Sequence, residues 1–391
     1  MSELATVYDC IVIGFGGVGS AALREAALRG WSVLGIDRFG PAHDRGSSHG
    51  KTRVIRRAYF EHPNYVPLAQ RAYEKWDELT KRHRTSPTVP ELLTQTGLLQ
   101  IGRPDSQLIQ GVLASSQQHD LAIEQFTAEE VERRLPLFKV DPEHIGLFEP
   151  GAGVLHVEQC VAALIKQALK HGASLQSNTV VDRWDVEDDG TVRVSTDKGT
   201  FSAKRLIVSA GAWNTSMLPG LKIDIRVIQK QQHWFQLDRV DQKIQNDFPC
   251  FLVEKNNGDC FYGVPDMDYL GMKICEHSGG RPLDNAESLD RALDQVALKR
   301  TEAFMKTDIN FGRSRLVHHS ACMYSMSADG NFVVDQHPEF SNVVFAAGLS
   351  GHGFKFASVL GEHLVRLLEG ECEPELEFLR IGNRELQASG N

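Results

Sequence analysis

The sequence has no run of about 18 apolar residues, so no stretch of it reads as a helix that crosses a bilayer. Its opening, MSELATVYDC, lacks the basic and apolar blocks of a secretory signal, and its last residues, ASGN, do not spell an SKL-type address. Both lead to the expectation of a cytoplasmic protein with no membrane partner. There is no Cys-x-x-Cys pair. The seven cysteines (10, 160, 250, 260, 275, 322 and 372) are scattered and odd in number, which favours free thiols over disulfides or a metal site. Positive charge is in deficit as well, 42 Lys and Arg against 51 Asp and Glu for a net −9. A nucleic-acid partner would need a basic footprint that this balance does not offer, and an anionic ligand must meet local positive charge. Repeats, low-complexity tracts and long linkers are missing too. With 391 residues, 41% of them hydrophobic, the chain exceeds one core, so two interleaved domains are expected.

What is present begins at the N-terminus. Tyr8 to Ile13 is a short apolar run, Gly14-Phe15-Gly16-Gly17-Val18-Gly19 follows, and an Ala- and Leu-rich stretch runs on to Gly30. The pattern reads as strand, tight turn and helix. Ser32 to Ile36 reads as a second strand ending at Asp37, at about the 20-residue spacing expected between the last motif glycine and a ribose-binding acid. Gly14 permits the turn, Gly16 lets backbone approach a pyrophosphate, Gly19 lets the helix lie close on the sheet, and the helix N-terminus offers N–H groups to phosphates. This unit points to a dinucleotide and does not separate FAD from NAD.

The rest of the chain favours FAD. Regular βαβ alternation does not continue. Instead Thr127 to Leu135, with the capping box Thr127-x-x-Glu130, and a helix from Val157 to His171 lead into a meander. Its strands are Val181 to Val186, Thr191 to Ser195 and Thr200 to Ala203, joined by Asp188-Asp189-Gly190 and Asp197-Lys198-Gly199. A buried-looking strand from Arg205 then ends in the glycine turn before Trp213. Later, Ser350-Gly351-His352-Gly353 precedes an apolar helix from Phe356 to Leu368, whose N–H groups suit negative charge. Lys355 falls in its first turn, where a cation opposes the helix dipole, and that misplacement suggests a purpose. In Leu270 to His277 the alternation puts Lys273 and His277 on one face of a strand and Met272 and Ile274 on the other.

Five segments resemble one family nearly end to end: Gly46-Ser-Ser-His-Gly-Lys-Thr-Arg53-Val-Ile-Arg56, Thr96-Gly-Leu-Leu, Phe148-Glu-Pro-Gly-Ala-Gly-Val, Ala321-Cys-Met-Tyr324 and Gly348-Leu-Ser-Gly-His-Gly-Phe-Lys355. The chain resembles the monomeric sarcosine, N-methyltryptophan and pipecolate oxidase group of D-amino-acid-oxidase-like flavoproteins. The resemblance implies a mixed α/β fold. A Rossmann-like FAD-binding domain (1–85, 150–220 and 320–391) would be interleaved with a smaller antiparallel-sheet substrate domain (86–149 and 221–319). It implies a monomer that oxidises the C–N bond of a small secondary amino acid with dioxygen, releasing hydrogen peroxide. Cys322 would bond covalently to the flavin. Gly14, Gly16, Gly19, Asp37, Arg38, Ser47, Ser48, Thr52, Val181, Gly211, Gly351, Gly353 and Lys355 would hold the cofactor. Arg56 and Lys355 would bind the substrate carboxylate, His49 and Arg53 would pack beside the flavin, Lys273 would help activate oxygen, and His277 with Tyr262 would line the amine pocket.

Substrate identity stays open. Sarcosine, N-methyltryptophan, pipecolate and proline all fit, because one methylene or ring changes discrimination by only about 1–3 kcal/mol; a glycated amine is a further option. Two other classes compete. An NAD(P)-dependent dehydrogenase explains Gly14 to Asp37 but gives Cys322 and Lys355 no task, and a non-catalytic flavoprotein subunit would have no use for Arg56 and Lys355.

Overall fold

Cys10–Ile13 is buried along its whole length, which is why four apolar residues in succession, without alternation, form a central strand. It pairs in parallel with Val33–Ile36 on one side and Leu206–Val208 on the other. The full six-stranded sheet runs Ser174–Gln176, Val33–Ile36, Cys10–Ile13, Leu206–Val208, Val343–Ala347 and Val333–Gln336, with only the last pairing antiparallel. The computed structural model describes residues 7–83, 91–221, 223–237, 248–267, 269–310, 313–371 and 373–383. Cys372 lies outside them, and among the described residues the other six cysteines are free thiols.

The Tyr8 to Ile13 run is two strands rather than one. Val7–Tyr8 pairs with Gly199–Ala203 of the meander, and the chain changes sheets at Asp9. The reason is polar: the Asp9 carboxylate accepts hydrogen bonds from the Ser32 backbone and hydroxyl at 2.9 Å and from Lys204 at 2.9 Å. The meander itself forms as the turn residues require, Val181–Val186, Val192–Thr196 and Gly199–Ala203 in antiparallel order.

Three helices cover one face of the parallel sheet. Gly17–Leu28 packs against Val157–Lys170 and Ala357–Leu368. Gly361 allows the last contact, since a Cβ there would meet Ala21 and the backbone of Ala22. Phe356, Leu360 and Leu364 are fully buried in that layer, each worth about 1.5–3 kcal/mol of apolar transfer. The final helix is shorter than its sequence suggests. Phe354–Phe356 forms a 3₁₀ turn and the α-helix begins at Ala357, so Lys355 precedes the α-helix instead of sitting inside its first turn.

A nine-stranded, largely antiparallel sheet holds the other side of the molecule. Its longest strands, Ile225–Leu237 and Ser314–Ser327, pair antiparallel over most of their length, and Met272–Glu276 and Cys260–Val264 follow alongside. Met272 and Ile274 enter an apolar cluster with Leu99, Phe235, Phe251 and Phe304, on the face opposite Lys273. Thr127 caps Ala128–Arg134 with both hydrogen bonds of the expected capping box to Glu130. No helix among the described residues is long and apolar enough to cross a membrane.

Candidate active site

The carboxyl ends of the parallel strands and interior strands of the antiparallel sheet enclose a cavity. At one end lie Gly14, Gly16, Asp37, Arg38, Val181 and Gly211; Ser47, Ser48, Arg53, Gly351 and Gly353 line its middle; Arg56, Tyr262, His277 and Lys355 close the other end.

The first end is made of backbone. Gly14 has φ +80°, and a Cβ on it would stand 2.7 Å from the Ser209 carbonyl oxygen. A Cβ on Gly19 would collide with the Gly14 carbonyl, so the helix lies as close to the turn as a glycine permits. Asp37 accepts hydrogen bonds from Phe15 N–H and Phe39 N–H, both at 2.9 Å, which orients its carboxylate at the cavity wall. Gly17 N–H donates to Ser48 Oγ at 3.0 Å. Arg38 pairs with Glu287, which also accepts from Trp213 Nε1.

The other end is made of buried side chains. Arg56 lies over the Tyr59 ring, 4.0 Å from its centroid, and over Phe60 at 4.7 Å. Its Nη2 reaches both oxygens of Glu61, at 2.6 and 2.8 Å, and its Nη1 donates to Ala58 O. Burial alone would raise the Glu61 carboxyl. Arg56, with His352 and Lys355, outweighs that and holds it at about 2. Lys355 is not a solvent-seeking surface lysine. It is 7% exposed, and its Nζ donates to His352 O at 2.9 Å and to the Tyr59 hydroxyl at 3.2 Å. Burial, then repulsion from Arg56, pushes it down to about 7. His277 shares a 3.3 Å hydrogen bond between Nδ1 and the Tyr324 hydroxyl, and its ring meets Tyr262 edge-on. Burial drives His277 to about 3 and His352 to about 4, so both are neutral imidazoles at pH 7.

Five of the expected residues do not line the cavity: Gly19 packs behind the turn against the Gly14 carbonyl, and His49, Thr52, Lys273 and Cys322 form a layer next to Arg53. Arg53 donates to Ser47 O at 2.9 Å and lies 3.6 Å from Cys322 Sγ. Lys273, 1% exposed, donates to Gly50 O and Thr52 O at 2.9 and 3.1 Å. Burial and Arg53 lower it to about 7. His49 is buried with its Nε2 unpartnered among the described residues. Three neighbours were not anticipated from the sequence. Glu61 holds Arg56, Cys275 sits opposite Tyr262 in register, and Lys230 lies opposite Cys322.

The cavity fits FAD. Its first end offers the open glycine cradle and oriented acid of a dinucleotide site, and Ser325 Oγ, on the cavity wall, is buried with no partner among the described residues. Residues 9–367 match the family model described as FAD dependent oxidoreductase, DAO. The chain is 36% identical over 395 residues to monomeric sarcosine oxidase from Bacillus sp. (strain B-0618), covering 99% of this chain and 98% of that one. It is 37% identical over 357 residues to N-methyl-L-tryptophan oxidase from Escherichia coli (strain K12 / DH10B), covering 91% and 93%. Among solved structures it superposes on NikD, an amino acid oxidase of nikkomycin biosynthesis, with TM-score 0.83 at 22% identity over 96% of this chain and 97% of that one. It also superposes on L-proline dehydrogenase from P. horikoshii, with TM-score 0.80 at 20% identity over 98% and 99%. A nicotinamide dehydrogenase is not favoured by these matches. With the glycine cradle at one end and a buried pair of cations at the other, the chain belongs to the DAO family of FAD-dependent oxidoreductases.

Proposed function

We propose that the protein oxidises the C–N bond of a small secondary amino acid, N-methylated or cyclic, and passes the electrons to dioxygen to give an imine and hydrogen peroxide. An N-methyl substrate would then yield formaldehyde and the primary amino acid by hydrolysis. The observation that carries this reading is the pair of buried cations, Arg56 and Lys355, both against the Tyr59 ring at the end of the cavity. Arg56 and Lys355 share one close carboxylate, Glu61, while the buried Glu149 exerts a smaller pull on Arg56 and is held by the backbone of Arg57 and Ala58. One substrate carboxylate completes the balance, and buried charge is tolerated only when so paired. A guanidinium fork and an ammonium suit that anion.

FAD supplies the electron sink for the amine and the site from which dioxygen is reduced. The chain supplies position. The carboxylate clamp fixes one end of the substrate, while neutral His277 and the protonated phenols of Tyr262 and Tyr324 present uncharged polar groups to the amine. Burial raises both phenols, so neither ionises near neutrality. Orientation of this kind supplies much of a rate enhancement without a dedicated base. Lys273 is the cation we assign to oxygen activation, and Cys322 is the thiol we assign to a covalent flavin link beside Arg53. The domain division drawn above and a monomeric state belong to the same proposal, the second supported by the name of the bacterial relatives.

The test is anaerobic mixing of the purified holoprotein with sarcosine, N-methyltryptophan, pipecolate and proline. One of them should bleach the yellow colour, and air should restore it with release of peroxide. If all four leave it unbleached and a glycated amine bleaches it, the protein is a deglycating oxidase. Acid-precipitated protein should stay yellow, and Cys322→Ser should release its flavin; release from the unaltered protein removes the tether. Lys273→Met should slow the return of colour far more than its loss, and an unchanged oxygen step removes that assignment.

A further inference from the structure

Lys230 has no part in the reading above, yet it is a buried charge next to the cavity. It lies mid-strand in Ile225–Leu237 and is 5% exposed. Its Nζ donates to three successive carbonyls, those of His277 at 3.1 Å, Ser278 at 2.5 Å and Gly279 at 3.1 Å. Three acceptors exhaust the donors of an ammonium, so Lys230 is not free to take a ligand. The turn it gathers has left-handed backbone at Gly279 (φ +63°) and Gly280 (φ +109°). Carbonyls that converge on one point repel each other, and a central cation offsets that repulsion. The far side of the turn is fixed by Glu276, which accepts from Ser278 Oγ and from both arms of the Arg300 fork at 2.7 Å.

The same ammonium stands 5.4 Å from the centroid of the Tyr324 ring, whose hydroxyl meets His277 Nδ1. Tyr324 in turn is packed so closely on Gly351 that a Cβ there would collide with its ring. One side chain thus touches the backbone of His277 and the ring of its partner Tyr324. We propose that Lys230 is a positioning residue that locks the His277–Gly279 turn against Tyr324 and so fixes the wall of the cavity assigned to the substrate amine. The inference rests on that assignment.

The lock is sensitive to pH. Burial lowers Lys230 to about 8, against the opposing pull of Glu276, Cys275 and Cys322 and with the help of Arg300. Tyr324, His277 and Cys260 face it as well, and burial keeps the phenol and the thiol protonated and the imidazole neutral on either side of that value. Below about 8 the ammonium holds all three carbonyls. As pH rises through that value it becomes an amine with two N–H donors, one carbonyl loses its partner, and the turn loosens.

The decisive measurement is amide hydrogen exchange over residues 276–281 in the FAD-loaded protein, corrected for intrinsic rate. The unaltered protein should lose about tenfold in protection as pH rises through 8. Lys230→Met should show that loss already at pH about 6 with no further step, and kcat/KM for flavin reduction should fall about tenfold at the same pH. Lys230→Arg, which stays charged throughout, should keep the protection and lose the step, and this variant decides the matter if Lys230→Met does not fold. Wild-type protection in Lys230→Met, a pH step that survives in Lys230→Arg, or a loosened turn with unchanged kcat/KM would each overturn the proposal. Failure of every amine to bleach the unaltered protein would instead sink the functional reading, while the exchange experiment would still judge the lock.

Discussion

At Gly14 to Gly17 the cavity wall is backbone, while at Arg56 and Lys355 it is side chain. The first surface exists because atoms are missing: a Cβ on Gly14 or Gly19 would occupy space already taken by Ser209 or Gly14 carbonyls. The second exists because charged side chains are present and held in place by hydrogen bonds, Arg56 by Glu61 and Ala58 and Lys355 by His352 and Tyr59. The two ends should therefore fail in opposite ways, one on adding atoms and the other on removing them.

The largest effect is expected from subtraction at the amine end. Arg56→Met leaves the Glu61 carboxylate buried without its cation and should cost about 3–5 kcal/mol in chemical denaturation, whereas Arg56→Met with Glu61→Leu should recover most of it. Equal stability of the single and double variants would break the contrast. Addition at the dinucleotide end comes next. Gly19→Ala should cost about 3 kcal/mol and yield colourless protein, while Gly30→Ala, at φ +78° with no atom within 4 Å, should cost about 1–2 kcal/mol of backbone strain and stay yellow. Loss of colour in both would mean that flavin retention follows overall stability and not crowding at the turn.

Lys355→Ala should weaken carboxylate inhibitors by about 2 kcal/mol and leave neutral analogues unchanged. The pH dependence has a definite sign. Lys355 is charged below about 7 in the ligand-free protein, so carboxylate affinity should decline as pH rises through that value and flatten where Arg56 alone remains charged. An inhibitor titration across that range, flat in the unaltered protein, would detach Lys355 from the clamp. The smallest effect is expected from subtraction at the dinucleotide end: Ser48→Ala removes only the acceptor for Gly17 N–H and should cost about 1 kcal/mol with flavin retained.

The contrast also explains what could be read in the sequence. The glycine turn, Asp37, the capping box at Thr127 and the meander are encoded within a few residues of themselves, in glycine spacing, alternation and turn chemistry. Arg56, Lys355, Lys273 and His277 are scattered through the chain, and it was the resemblance of whole segments that grouped them. Glu61, Cys275 and Lys230 escaped because their partners lie on other strands or loops and leave no periodic trace. Lys230 did leave a weak one: Gln229-Lys230-Gln231-Gln232-His233 is a run of five polar residues within a buried strand, and such a run must find polar partners elsewhere. The break at Asp9 was invisible for the same reason, since its acceptors' partners, Ser32 and Lys204, are remote in sequence.

The strand Met272–Glu276 sends alternate residues to opposite sides, Met272 and Ile274 into hydrocarbon and Lys273 and Cys275 toward the site. Deleting or inserting a single residue between Gly271 and His277 would exchange the two rows, placing an ammonium among phenylalanines and an isoleucine beside the polar groups. Descendants of this gene can therefore explore new amines by replacing one rung at a time, but the length of this stretch is closed to them.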